Sequence, residues 1–160
     1  MSFLEFRDHR AQRIASDGRA AAAGGFEARL PGRAARSLLW DRGLVLRVGA
    51  PIRDGDTTVG FVIGEQPLPD LARAAFRIDE FGATGEMGVC AAFDRKRMTC
   101  LPTRFSPRPF ILERSLRGAV LPMSFALDGQ QGMIRTRDYR DREVIAAYGP
   151  IGDLGLGMVV

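Results

Sequence analysis

The chain has 160 residues, 46% of them apolar, and carries a formal net charge of +4; that length suffices for one well-buried core, or for one domain with a reduced second lobe. Its apolar runs reach four or five residues, far short of the ~20 that a membrane-spanning helix needs, so no helical span is expected within it. The positive charge is nearly all arginine placed beside acids, as in Arg53-Asp54 and Asp138-Tyr139-Arg140-Asp141-Arg142-Glu143, a mixed-sign pattern that predicts a solvated surface rather than a nucleic-acid-binding patch.

Residues 3 to 14 space Phe3, Phe6, the Arg10 stem and Ile14 as a helical stripe, ended by Ser16-Asp17-Gly18. Residues 1–43 are therefore expected as a helical and irregular N-terminal segment, punctuated by Gly24-Gly25 and Pro31-Gly32, with Trp40 docking it on a core. Strands are predicted at 44–51 and 58–65, joined by Arg53-Asp54-Gly55-Asp56. A helix follows, capped by Asp70, with Leu71, Ala74, Ala75 and Ile78 on one face. Residues 44–78 thus form a reduced lobe of one hairpin and a connecting helix.

Residues 79–160 carry a second unit. The turn Gly82-Ala83-Thr84-Gly85-Glu86 leads into a strand at 87–93, which returns at 98–102. The densest basic cluster, Arg95-Lys96-Arg97, falls on that hairpin tip without the interleaved aromatics that stack bases. Residues 104 to 122 are proline-broken and are expected to be a covering loop, followed by weakly helical sequence to about Asp128. Strands at 133–138, 143–150 and 154–160 close the unit. The expected fold class is α+β, with a five-stranded antiparallel sheet under covering helices and a long loop.

Two cysteines, Cys90 and Cys100, lie on the hairpin strands. If Phe93 pairs with Arg97 they face each other and a bridge is sterically open; if Asp94 pairs with Arg97 they point to opposite faces. Free buried thiols are the preferred expectation. With His9 the sole histidine, no metal-ligand spacing surrounds them, and neither metal nor cofactor is expected.

One phrase occurs twice: Val45-Leu46-Arg47-Val48-Gly49-Ala50-Pro51-Ile52-Arg53-Asp54 and Val144-Ile145-Ala146-Ala147-Tyr148-Gly149-Pro150-Ile151-Gly152-Asp153. Each ends a strand in Pro-Ile before a polar turn and a second apolar strand, which predicts two related sheet units built on one hairpin design.

The strings Gly82-Ala83-Thr84-Gly85-Glu86, Asp138 through Ile151, and Leu154-Gly155-Leu156-Gly157-Met158-Val159-Val160 resemble the Cache family, PAS-like extracytoplasmic sensor domains of bacterial membrane receptors. The resemblance covers about residues 80 to 160, and makes residues 44–78 a partial, membrane-distal PAS-like lobe. Two departures are local: Asp141 stands where the family's glycine turn continues, and Leu156 replaces a frequent tryptophan. The resemblance implies ligand binding relayed across a membrane to a histidine kinase, diguanylate cyclase or chemotaxis output. It also implies a periplasmic location, with membrane anchorage only through segments outside this chain. The lack of a signal-peptide pattern at the N-terminus and an apolar strand at the C-terminus fit an excised piece of such a receptor. Dimerisation through the N-terminal helix is expected by analogy alone.

Within that frame, Val144, Ala146 and Tyr148 share one strand face, where the small Ala146 leaves room and the Tyr148 hydroxyl can orient a ligand. Arg104 and Arg108 frame Phe105 and Phe110 on the covering loop, and Arg135 with Arg137 shares one face of the meander while Ile134, Thr136 and Asp138 take the other. Their guanidinium forks suit a carboxylate, so a small anionic ligand is expected. The competing role of each residue is structural: Tyr148 as core, the arginines as solvated surface. Catalysis is not expected, because no nucleophile elbow, phosphate-cradling loop or paired carboxylate accompanies Glu65, Glu86 or Glu113. The alternative is a cytoplasmic PAS-like interaction module that binds protein and no small molecule, with free thiols.

Overall fold

The computed structural model describes residues 3–22, 24–32, 34–75, 82 and 84–160. Among these residues the chain is nearly all β, with fourteen strands and two short helices. It divides into two compact units, Met1–Ala72 and Arg73–Val160.

The first unit is one antiparallel sheet of six strands: β1 (Phe3–Asp8), β2 (Arg13–Asp17), β3 (Glu27–Leu30), β4 (Ala35–Trp40), β5 (Leu44–Asp54) and β6 (Thr57–Pro67), in the order β2-β1-β6-β5-β4-β3. The expected N-terminal helix is absent, and β1 and β2 stand in its place. Two features turn the segment to strand. Asp8 Oδ1 accepts the amide N–H groups of Arg10 and Gln12 at 2.8 and 2.9 Å, a local turn that competes with helical hydrogen bonds. Phe3 and Glu5 are also buried while Leu4 and Phe6 are exposed, an alternation that suits a strand paired on both sides, here by β2 and β6. The strands β1 to β4 therefore belong to the sheet of the first hairpin, where a helical and irregular lead-in was expected.

The helix α1 (Pro69–Ala75) carries the boundary between the units. Its Leu71 is exposed, and Ile78, expected on the same face, lies outside the described residues.

The second unit contains β7 (Gly88–Ala92), β8 (Arg97–Cys100), β9 (Phe110–Glu113), a two-stranded ribbon of β10 (Ser115–Leu116) and β11 (Ala119–Val120), the helix α2 (Pro122–Leu127), and β12 (Gly132–Arg137), β13 (Glu143–Pro150) and β14 (Leu156–Val159). Its main sheet runs β12-β13-β14-β7-β8-β9, all antiparallel. The α+β expectation of a five-stranded PAS-like sheet under covering helices is thus corrected to two six-stranded antiparallel sheets. The sixth strand here is β9, drawn from the stretch expected to be a covering loop. Phe110 and Leu112 of β9 pack on the core of Cys90, Met98, Cys100, Leu121 and Met123, and that apolar gain sets the strand at the sheet's edge.

Both units share a five-strand order. Reading from one edge, β2-β1-β6-β5-β4 matches β8-β7-β14-β13-β12, with β3 and β9 added at different ends. The repeated phrase occupies β5 and its turn in one sheet, β13 and its turn in the other.

Cys90 pairs with Cys100 across β7 and β8 and the two form a disulfide, which corrects the expectation of free thiols. The hairpin tip decides it. The amide of Phe93 donates to Arg97 O at 3.0 Å, and Asp94 Oδ1 accepts from the amides of Lys96 and Arg97, fixing the register that brings the sulfurs together. Met123 of α2 packs on the bridged cysteines, and the helix approaches β14 closely: a Cβ on Gly157 would stand 2.9 Å from the Ala126 Cβ.

Candidate functional site

Between α2 and the sheet of the second unit lies a cavity of about 120 Å³. Cys100, Phe110, Leu121, Met123, Val144, Ala146 and Val159 make most of its wall apolar. The strand register explains why these residues meet: Ala146 pairs with Ile134, Val159 with Tyr148 and Gly88, and Cys100 with Cys90 and Phe110, so alternate residues of successive strands face α2. Ala146 is the small residue among them and is itself buried.

One end of the cavity is polar. Thr84, Glu86, Thr103, Asp138, Tyr139 and Arg140 line it. The Tyr139 hydroxyl donates to Glu86 Oε1 at 2.9 Å and stands 3.3 Å from Thr103 Oγ1. Thr103 Oγ1 in turn accepts the Ser106 amide at 3.1 Å. Since the Tyr139 proton is committed to Glu86, Thr103 donates to Tyr139, and the chain of donors runs from Ser106 toward the carboxylate. Glu86 Oε1 also accepts the Phe105 amide at 3.3 Å. Burial raises the Tyr139 phenol above its ordinary value of 10.0; the hydrogen bonds of Thr103 and Ser106 act against this, and Glu86 adds to it.

Arg140 is held from three sides. Its Nε and a terminal nitrogen contact Asp138 Oδ2 at 2.8 and 2.7 Å. Its guanidinium carbon lies 3.8 Å from the centre of the Phe105 ring, within cation–π range. Its other carboxylate contact, Glu86 Oε2, is 3.7 Å away. Asp138 Oδ1 accepts the amides of Arg140 and Arg142, so the turn after β12 orients both members of the pair. Asp141 completes that turn at φ 63, a left-handed conformation that aspartate tolerates.

Of the residues singled out from sequence, Ala146 lines the cavity. Tyr148 shares its strand face but lies beyond the cavity wall, with its ring 5.5 Å from that of Phe125. Phe105 stands behind the rim, stacked on Arg140. Arg104 reaches away to the Gly82 carbonyl at 2.9 Å, and Arg108 is exposed. Arg135 and Arg137 contact Glu143 and Asp141 and, with Leu116, Arg117, Ala119 and Leu121, line a separate cavity of about 620 Å³. The polar end was missed as a unit. Its signal was present, because Glu86 ends the Gly82–Glu86 string and Asp138, Tyr139 and Arg140 open the second motif; the structure brings the two strings together across 50 residues of chain.

The first unit differs at the equivalent place. Arg47 occupies the position in the repeated phrase that Ala146 holds in the second copy, and its guanidinium bonds Glu65 at 2.6 Å and 2.7 Å. Glu65 also accepts the Ala21 amide at 2.6 Å, so a half-buried ion pair, with the segment at Ala21 bonded to it, occupies that position.

Comparison of the chain with family models, curated proteins and solved structures finds no match.

Proposed function

We infer that residues 73–160 are a small-molecule-sensing domain of a bacterial signalling receptor, placed outside the cytoplasm, and that the ligand occupies the cavity under α2. The observation that carries this reading is the meeting of the Gly82–Glu86 and Asp138–Arg140 strings at one end of an apolar cavity. An apolar concavity with a few convergent polar groups is the usual form of a small-ligand site. The cavity is slightly smaller than the roughly 150 Å³ engineered space that holds benzene, so the ligand has about five non-hydrogen atoms. The disulfide supports the compartment, since such bonds persist where the milieu is oxidising; the alternative of a cytoplasmic interaction module called for free thiols. Among the described residues no helix is long and apolar enough to cross a membrane.

The signal would arise from differential affinity: a ligand that binds one arrangement of α2 over the sheet more tightly shifts the population toward it. The test fills the cavity. Ala146→Phe is expected to abolish the thermal stabilisation that cognate small molecules give the wild-type chain, with Ala146→Val reducing it in step with the volume added. A ligand from a small-metabolite panel that stabilises wild type and Ala146→Phe equally would place binding elsewhere and refute the reading.

A further inference from the structure

We propose that the cavity selects a short aliphatic ammonium ion, a primary amine in its charged form with a tail of about four carbons. This rests on the sensing reading above and specifies its ligand. The expectation of a carboxylate depended on Arg104, Arg108, Arg135 and Arg137, and none of these lines the cavity.

Among the described residues three charged side chains do: Glu86, Asp138 and Arg140. Their formal charges sum to one negative, and the two-point contact of Arg140 with Asp138 consumes the only cation. Glu86 is the remainder. Its Oε1 already accepts from Tyr139 and Phe105, whereas among the described residues Oε2 is faced by the Arg140 guanidinium, at 3.7 Å, beyond hydrogen-bond distance.

Glu86 is therefore a carboxylate with one oxygen satisfied and the other lacking a close donor, its side chain only 11% exposed. A charged donor meets such an oxygen best. A carboxylate ligand would add a second negative charge beside Glu86 and Asp138, with no free cation to face it. An ammonium supplies three donors and the missing positive charge, while Phe110, Leu121, Met123, Val144, Ala146 and Val159 receive its alkyl tail.

The test uses the full chain with its disulfide intact and three probes of nearly equal size, n-butylammonium, 1-butanol and butyrate, at matched ionic strength. Calorimetry and thermal shift are expected to show butylammonium binding at least tenfold more tightly than butanol, and butyrate not at all. Glu86→Gln should erase the tenfold preference, and Tyr139→Phe, which keeps the charge, should retain it. Butyrate binding as tightly as butylammonium, or butanol matching it, overturns the ammonium assignment and leaves the cavity reading in place. Binding of all three probes that is unaffected by Ala146→Phe overturns both.

Discussion

Tyr139 shows what one side chain gains from its position. Its phenol sits between a carboxylate that accepts its proton and a threonine that donates to it, and burial raises its ionisation above 10.0. The neutral form is thus favoured in the folded state more than in the unfolded one. For an acid with a raised folded value, the stability it contributes is fully present below 10.0 and is lost as pH climbs through the higher folded value. Ultraviolet difference titration should show a tyrosine ionisation above 10.0 that Tyr139→Phe removes. Ionisation of Tyr139 at or below 10.0 would mean that the phenol is not buried as described.

At the scale of elements, two contacts fix the layer over the cavity: α2 on β14, and β7 on β8. Gly157 gives α2 its close approach, so Gly157→Val must push the helix outward or strain the strand, and is expected to cost about 1–3 kcal/mol in urea unfolding. Gly64 in β6 faces open space where a Cβ would stand, and Gly64→Ala is expected to be neutral or to stabilise by up to about 1 kcal/mol. Equal losses at both sites would show that the helix is not packed as described. The Cys90–Cys100 bridge closes a loop with a sequence separation of 10, which the loop-entropy model values at about 2.5–3 kcal/mol. The double variant Cys90→Ala/Cys100→Ala should lose about that much and should also weaken ligand binding, because Cys100 forms part of the cavity wall.

These elements were unevenly legible. The strands at 44–54, 57–67, 88–100 and 132–159 follow from turn chemistry at Gly55, Asp94, Asp141 and Gly152, which acts within four residues. The N-terminal hairpin was not legible in the same way, because Phe3, Phe6 and Ile14 satisfy a helical period as well as they satisfy strands. The partner that decides between the two is β6, some 60 residues away. β9 was hidden for a similar reason: Phe110-Ile111-Leu112-Glu113 reads as strand only once β8 is beside it. Ala146 was identifiable as a small residue on one strand face, and it lines the cavity, whereas nothing near Glu86 in sequence announces Tyr139 and Arg140, which the fold brings to it.

For the molecule as a whole, the shared five-strand order of the two sheets gives the repeated phrase a structural meaning. The copies have diverged in what they bury: a salt bridge at Arg47 and Glu65, a cavity at Ala146. If each unit has its own core, residues 73–160 produced alone should unfold in one cooperative transition and keep the ligand response of the full chain. A molten fragment without that response would show that the second unit depends on the first. What the sequence by itself determined was local: where strands end, which turns need an aspartate or a glycine, and that one hairpin design is used twice. Which side of each sheet is covered, that two cysteines share a register, and that Glu86 meets Arg140 were decided by tertiary pairing, because these depend on which distant strand buries the most apolar surface and on a register in which a one-residue slip turns every side chain to the other face.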